Sequence, residues 1–218
     1  MSLKLYATLG SPAVRGTLLT IEALGLKDKV QIIPVELFNL EHLKPEFVAK
    51  NPLHTVPVLE DGNFTLWDSH AINSYLVNKY ATDDALYPKD IQKRALVDSM
   101  AHFDTGYLFG KAVRISKAVV AQDKSVSLDQ MKADVRETYD MLELILKKRK
   151  FVAGDSMTIA DFSIVATLST TEVYVPMEKE YPRIDEWYAK MRQLPYYSIN
   201  AKGVEVFKTV FGKLIPKL

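Results

Sequence analysis

The stretch LYATLGSPAVRGTLLTIEALGL, residues 5–26, decides how the chain begins to fold. Its apolar start favours a strand over Leu3–Thr8, which ends before Gly10. Ser11 and Pro12 follow, and this pair is typical of a helix start, with serine as N-cap and proline at the first helical position. Apolar residues then recur at helical spacing, so we predict a helix over Pro12–Gly25.

The chain up to Tyr80 continues this alternation of strands and helices. Pro34 places the second strand at a sheet edge, because proline cannot donate to a ladder. Asp61-Gly62-Asn63 supplies the turn of a hairpin. The further elements are a strand, a short helix, the two hairpin strands and a helix, over Val30–Val35, His42–Lys50, Val56–Glu60, Phe64–Trp67 and Ser69–Tyr80. This order predicts an α/β domain with a mixed four-stranded sheet over residues 1–80.

After Tyr80 the pattern changes to a polar linker over residues 81–90 and then to an all-helical domain over residues 91–218. One long helix is expected from Ile91 to about Val120. Thr158 and Asp161 have the spacing of a capping box at the start of a later helix. The remaining helices are predicted over Leu128–Lys148, Ile159–Thr171, Ile184–Gln193 and within Val204–Leu214.

Composition excludes several classes of function. The 218 residues contain no cysteine, so disulfides, thiolate metal sites and a cysteine nucleophile are excluded, and with them a thiol–disulfide redox protein. The net charge of +1 gives no electrostatic sign of nucleic-acid or anionic-membrane binding. The basic run Lys147–Lys150 closes a predicted helix, where cations complement the helix dipole. Neither a secretory signal nor a membrane span is expected, which favours the cytoplasm.

Three segments at element boundaries are candidates for chemistry. Ser11 lies where a helix N-terminus attracts an anion, although taken alone the residue is more typical of a structural cap. The segment His54–Pro57 enters a strand, and a cis proline there would expose the Val56 backbone to an extended ligand; an ordinary proline is the alternative. Asp68, Ser69 and His70 open the next helix, either as its cap or as a holder for an amino-acid head. The four histidines do not have the spacing of a metal site.

Six segments, in register along nearly the whole chain, resemble a single family. They are SPAVR, EHLKPEFVAKNPLHTVPVLEDG, WDSHAINSYLVNKY, LYPKD, FVAGDSMTIADFS and YPRIDEWYAKMRQLPYY. The chain resembles the cytosolic glutathione transferases, the insect epsilon class first and the delta class next. The resemblance implies a thioredoxin-like domain followed by an all-α domain, a homodimer, and glutathione as co-substrate without a metal.

The resemblance also implies roles for individual residues. Ser11 matches the catalytic serine, which donates a hydrogen bond to the glutathione thiolate and is not itself a nucleophile. Tyr6 is the competing donor, because other transferase classes use a tyrosine near the end of the first strand. Glutathione would contact His42, His54, Thr55, Val56, Pro57, Asp68, Ser69 and His70, the last of these only nearby.

A second pocket for hydrophobic electrophiles follows by the same analogy, although aromatic residues at helical spacing are also typical of an ordinary core. Its expected lining is Leu9, Leu37, Tyr107, Phe109, Val113, Ser116, Lys117, Val120, Phe207 and Phe211. The implied reaction forms a thioether, and the same thiolate could serve dehydrohalogenation or peroxide reduction. The alternative hypothesis is a non-catalytic carrier of apolar ligands on the same fold. The intact set of Ser11, His54, Asp68 and Ser69 argues against a carrier.

Overall fold

A mixed four-stranded sheet organises the first domain. The computed structural model describes residues 3–121, 127–177 and 180–212. Strand β1 (Leu3–Ala7) pairs in parallel with β2 (Val30–Pro34) and antiparallel with β3 (Val58–Asp61), and β4 (Phe64–Trp67) completes the order β2-β1-β3-β4. The predicted mixed sheet and the edge position of β2 are confirmed. Strand β3 begins two residues later than predicted, because Pro57 has no N–H to give to the ladder.

Three helices flank this sheet. Helix α1 (Pro12–Ala23) ends two residues before the predicted Gly25, which takes a positive φ of 64° and turns the chain toward β2. Helix α2 is shorter than the predicted His42–Lys50 and covers only Pro45–Val48. Leu40, with φ 58°, and a 3₁₀ turn that contains His42 precede it. Helix α3 (Ser69–Tyr80) has the predicted bounds.

The second domain is helical, as predicted, but its first helix is interrupted. Helix α4 (Ile91–Phe103) passes through a π-helical turn (Asp104–Leu108) into α5 (Phe109–Ala121), so the single long helix predicted from Ile91 is wrong at this point. The turn keeps Asp104 buried beside His70 of α3. An interruption of this kind is often found at functional sites.

The remaining helices are α6 (Leu128–Leu146), α7 (Ile159–Tyr174), α8 (Pro182–Arg192) and α9 (Ser198–Phe211). Helix α9 begins six residues before the predicted Val204 because its first turns bury Asn200 and Gly203, which hydrophobic periodicity does not detect. The predicted end at Leu214 lies outside the described residues. Within the described ranges, no helix is both long and apolar enough to cross a bilayer.

Helix α7 forms the centre of the helical domain and packs against α1, so it joins the two domains. Its residues from Ile159 to Thr171 are all buried. The predicted capping box at its start is confirmed, since the Thr158 backbone N–H donates to Asp161 Oδ2 at 2.8 Å. Asp161 Oδ1 also accepts from the Trp187 indole at 2.8 Å and from the Val152 amide at 3.0 Å. One buried carboxylate therefore joins α7, α8 and the loop before α7.

Candidate active site

The loop between β1 and α1 presents Ser11 at the position predicted for a helix cap. Its backbone N–H donates to the Thr8 carbonyl at 2.9 Å, and its own carbonyl accepts from the Arg15 amide at 3.1 Å, which closes the first turn of α1. The side chain, however, makes no capping hydrogen bond. The sequence-based expectation that the hydroxyl caps the helix is therefore wrong. Both its proton and its lone pairs remain available in the cavity that Ser11 lines.

Tyr6, the competing hydroxyl, already has a strong partner. Its phenol donates to Glu60 Oε2 at 3.0 Å, and Glu60 is also paired with Lys50. Burial and then the neighbouring Glu60 carboxylate raise the pKa of Tyr6, so the phenol stays protonated. Its ring packs edge-on against Phe47, with 6.2 Å between centroids. This arrangement argues against Tyr6 as a donor to a ligand sulfur.

The segment before β3 is held by a residue that the sequence analysis missed. Asn51 is completely buried, and its Nδ2 donates to the Thr55 carbonyl at 2.9 Å and to Thr55 Oγ1 at 3.0 Å. Its Oδ1 accepts from the Leu53 amide at 2.9 Å. The buried side-chain amide of Asn51 must find hydrogen-bond partners, and it finds them in the backbone and side chain of this loop. In the sequence the only signal for this role was an asparagine shortly before the predicted strand. The Val56–Pro57 peptide bond is cis, which is one of the two alternatives that the sequence left open for Pro57.

The start of α3 supplies an acidic cap. Asp68 Oδ1 accepts from the backbone amides of His70 at 2.9 Å and Ala71 at 3.1 Å, and neither bond uses Oδ2. Asp68 has φ 74° and His54 has φ 46°, a backbone region that residues other than glycine rarely adopt. Strained residues of this kind cluster at functional sites. Here Leu53 and Thr55, the neighbours of His54 in sequence, line the same cavity as Asp68.

His70 connects this helix start to the second domain. Its Nε2 lies 3.3 Å from Asp104 Oδ2, and the Asp104 side chain is only 5% exposed. Burial by itself lowers the pKa of His70, but the hydrogen bond and the charge of Asp104 outweigh it and raise the pKa above the ordinary value. The imidazole is thus directed at the π-helical turn between α4 and α5.

A small cavity of about 240 Å³ gathers most of the predicted glutathione residues. Six of the eight line it, namely Thr55, Val56, Pro57, Asp68, Ser69 and His70. His42 and His54 are not among its lining residues but stand together, with ring centroids 6.1 Å apart. Burial, and then the proximity of His54, lower the pKa of His42. The cavity walls also include Ala13, Leu53, Asp104, Thr105, Phe109 and Ser163, which the sequence analysis did not name for this site.

A larger apolar cavity of about 480 Å³ adjoins it, and Phe109 lines both. Seven of the ten residues predicted for the electrophile pocket line it together with Ser11: Leu37, Phe109, Val113, Ser116, Val120, Phe207 and Phe211. Leu9, Tyr107 and Lys117 do not, and Tyr107 instead stacks on Phe103 at 5.8 Å. The lining residues that the sequence analysis missed are Thr8, Gly10, Pro12, Phe38, Leu40, Ala112, Thr170, Val206 and Val210.

Aromatic rings form one wall of this apolar cavity. Phe207 stacks on Phe211 with 4.5 Å between centroids, and Phe38 meets Phe211 edge-on at 6.0 Å. Tyr174 lies behind Phe207 at 5.3 Å, and its hydroxyl is hydrogen-bonded to Ser116. Phe38 was missed because it follows β2 in a loop whose sequence has no hydrophobic periodicity. In the structure its ring is 60% exposed, which is unusual for a phenylalanine.

Comparisons with known proteins agree with this architecture. The family model "Glutathione S-transferase, N-terminal domain" matches residues 1–78, and "Glutathione S-transferase, C-terminal domain" matches residues 96–195. Glutathione S-transferase 1 of Manduca sexta is 40% identical and covers 95% of this chain and 96% of its own length.

Two solved structures are similar over nearly their full lengths. An epsilon-class glutathione S-transferase from the housefly, Musca domestica, is 38% identical with a TM-score of 0.94, and the match covers all of both chains. A glutathione transferase homologue of Drosophila mojavensis is 40% identical with a TM-score of 0.92, and the match covers 97% of each chain. The latter structure contains bound glutathione.

Proposed function

The chain belongs to the glutathione S-transferase family and is a glutathione transferase, and we propose how its residues perform the transfer. Glutathione lies along the first domain, with its sulfur at Ser11. The observation that carries this proposal is the uncommitted Ser11 hydroxyl at the N-terminus of α1, next to the apolar cavity. The adjoining small cavity is lined by six of the eight residues predicted to hold the tripeptide, which supports its placement there.

The γ-glutamyl head binds at the start of α3 in this proposal. Helix α3 has twelve residues, so its N-terminus attracts a carboxylate, and Ser69 provides a hydroxyl there. Asp68 accepts from the ammonium group, since its Oδ2 takes no part in capping α3. The Val56 backbone pairs with the cysteinyl unit, while His42 and His54 meet the glycine carboxylate.

The free energy needed to lower the thiol pKa of glutathione bound at Ser11 is modest. A free thiol has a pKa of about 8.5, and lowering it by about 2 units requires about 2.7 kcal/mol in favour of the thiolate. A hydrogen bond to a charged group contributes about 1.5–3 kcal/mol. The N-terminus of α1 adds about 0.3–1 kcal/mol. A donated hydrogen bond from Ser11 together with the helix dipole is therefore sufficient, and no general base is needed.

The electrophile enters the apolar cavity. Its carbon is attacked by the thiolate, the new carbon–sulfur bond forms as the leaving group departs, and the product is a thioether. Aromatic and aliphatic side chains dominate the cavity wall, so small hydrophobic electrophiles fit it best. Dehydrohalogenation and peroxide reduction would use the same thiolate and stay predictions.

A homodimer is also proposed. Large apolar side chains remain exposed on the single chain, among them Phe64 and Trp67 of β4 and Ile91 and Leu96 of α4. Ile91 is 81% exposed, and a second chain packed against it would remove this apolar surface from water. Light scattering should give twice the chain mass of 24.7 kDa, and a monomer at micromolar concentration would contradict the proposal. The cytoplasmic location expected from the sequence stays a prediction.

The decisive experiment compares Ser11→Ala with Tyr6→Phe, because each variant removes one hydroxyl near the end of β1. We expect Ser11→Ala to lower kcat/KM for a chloronitroaryl electrophile at least about tenfold, which is a loss of about 1.4 kcal/mol of transition-state stabilisation. The pKa of bound glutathione should rise in the same variant. Tyr6→Phe should change neither quantity. Unchanged turnover and thiol pKa in Ser11→Ala would remove Ser11 from the mechanism.

The carrier hypothesis makes a different prediction for the unmodified protein. A carrier has no need of glutathione, so calorimetry would detect an apolar ligand but no glutathione binding. Saturable glutathione binding together with turnover supports the transferase hypothesis. A protein that neither binds glutathione nor turns over an electrophile would support the carrier hypothesis.

A further inference from the structure

Arg15 is a charged residue that the transfer described above does not use. It lies one turn after Ser11 on α1, and its side chain is completely buried. The guanidinium Nη1 donates to Asn200 Oδ1 at 2.7 Å and to Ser169 Oγ at 3.2 Å, while Nη2 donates to the Ala166 carbonyl at 3.2 Å and to Thr170 Oγ1. Every one of these acceptors is neutral.

The positive charge of Arg15 is thus uncompensated. Among the described residues, no carboxylate forms an ion pair with it. The titratable groups that act on it are two phenols, Tyr188 of α8 and Tyr197, which precedes α9. Burial lowers the pKa of Arg15 to about 10, which leaves the guanidinium charged at neutral pH.

A buried charge without a counter-ion is costly, and a neutral side chain of similar shape could join α1 to α7 and α9. Its location suggests what the charge does. Thr170, which accepts from the guanidinium, lines the same apolar cavity as Ser11. The Arg15 amide donates to the Ser11 carbonyl at 3.1 Å. The buried guanidinium is therefore one hydrogen bond away from a residue of the cavity that Ser11 also lines, in a region of low dielectric.

We propose that Arg15 is the fixed positive charge that favours the thiolate of glutathione at Ser11, an inference that rests on the proposed function. Arg15 acts through its field and does not touch the sulfur. Two unit charges about 10 Å apart at an effective dielectric constant of about 20 shift a pKa by about one unit. The charge thus adds to the donated hydrogen bond and the helix dipole.

The test neutralises the charge without removing the anchor. Asn200→Asp is nearly isosteric and keeps the Oδ1 acceptor for Arg15, but it places a carboxylate beside the guanidinium. Ser169→Ala is the matched control, because it removes one hydrogen bond from the guanidinium and leaves the charge in place. Arg15→Met removes the charge itself. Asp68, His70 and Asp104, the charged residues that line the adjoining cavity, are unchanged in all three variants.

The readout is the pKa of bound glutathione, followed by the ultraviolet absorbance of the thiolate, together with affinity for S-methylglutathione, which has no ionisable thiol. We expect Asn200→Asp and Arg15→Met to raise the thiol pKa by about one unit. The affinity of Asn200→Asp for S-methylglutathione should equal that of the wild type. Ser169→Ala should keep the wild-type thiol pKa.

An unchanged thiol pKa in folded Asn200→Asp would overturn the proposal, as would equal pKa shifts in Asn200→Asp and Ser169→Ala. If Arg15→Met fails to fold, the isosteric variant decides the question alone. A wild-type protein that binds no glutathione would overturn the proposed function itself. If instead Ser11→Ala loses activity while Asn200→Asp keeps a normal thiol pKa, only the role of Arg15 is refuted.

Discussion

Gly203 of α9 packs against the loop between β1 and α1, and adding one methyl group there tests how that loop is built. A Cβ at position 203 would clash with Arg15 Cδ and would lie 2.6 Å from the Leu9 carbonyl oxygen. The second contact is with backbone and cannot be relieved by a side-chain rotation. Helix α9 must therefore retreat from the loop by about 1 Å to restore van der Waals contact.

The expected cost follows from two opposed effects. Over-packing of this kind typically destabilises a protein by about 1–3 kcal/mol, whereas Gly→Ala inside a helix stabilises it by up to about 1 kcal/mol. Gly106→Ala is the matched control, because a Cβ there would meet nothing within 4 Å. The gain in helix propensity is common to both variants and cancels in the comparison. A chain of this size changes its Tm by about 2–4 °C per kcal/mol, so Gly203→Ala should melt about 2–12 °C below Gly106→Ala.

The same shift has a functional consequence that kinetics can measure. Val206 and Phe207 follow Gly203 on α9, and both line the apolar cavity. Their retreat from Gly10 and Ser11 should raise KM for a hydrophobic electrophile several-fold, and by more than KM for glutathione. If Gly203→Ala has the same Tm as Gly106→Ala and keeps the wild-type KM for the electrophile, the close approach of α9 does not shape the apolar cavity.

Two further predictions concern buried carboxylates. Asp161→Asn removes one of the two oxygens that accept from four buried donor groups, one of them the Trp187 indole at 2.8 Å. Urea denaturation should therefore show a loss of about 2–5 kcal/mol in the free energy of unfolding. A loss below about 1 kcal/mol would contradict the role given to Asp161. The raised pKa of His70 means that its pairing with Asp104 stabilises the fold fully below its ordinary value of 6.5 and ceases to do so as pH rises through the folded value. The Tm difference between wild type and His70→Gln should therefore shrink from about pH 6 to about pH 9, and a constant difference would refute this linkage.

Local chemistry explains why much of the fold could be predicted. Turn residues fix the hairpin, Pro34 fixes a sheet edge, and the Thr158–Asp161 spacing fixes a helix start, because each depends on neighbours in sequence. The same holds for the bounds of α3, which has a clear apolar face and an acidic cap. The order of these elements then indicates an α/β domain followed by a helical one.

Periodicity was insufficient where burial is polar or where a helix changes its winding. Helix α9 was predicted too short because two residues of its first turns are buried without being large and apolar. Asn200 is buried to accept a hydrogen bond from Arg15, and Gly203 is buried because α9 lies close to Leu9 and Arg15 there. The π-helical turn at Asp104 was missed because the partner of Asp104, His70, belongs to α3 and is distant in sequence. Tyr107 is placed outside the apolar cavity by the same turn.

The sequence by itself determined the two-domain order, the family, and the position of Ser11 at a helix N-terminus, since short-range propensities and motifs carry this information. Only the tertiary structure decided that the Ser11 hydroxyl does not cap its helix and that Phe38 faces the apolar cavity. It also decided that Arg15 is buried and that no carboxylate of the described ranges is paired with it. These properties depend on groups brought together from distant parts of the chain, and a side chain's charge or hydroxyl acquires its role from those neighbours.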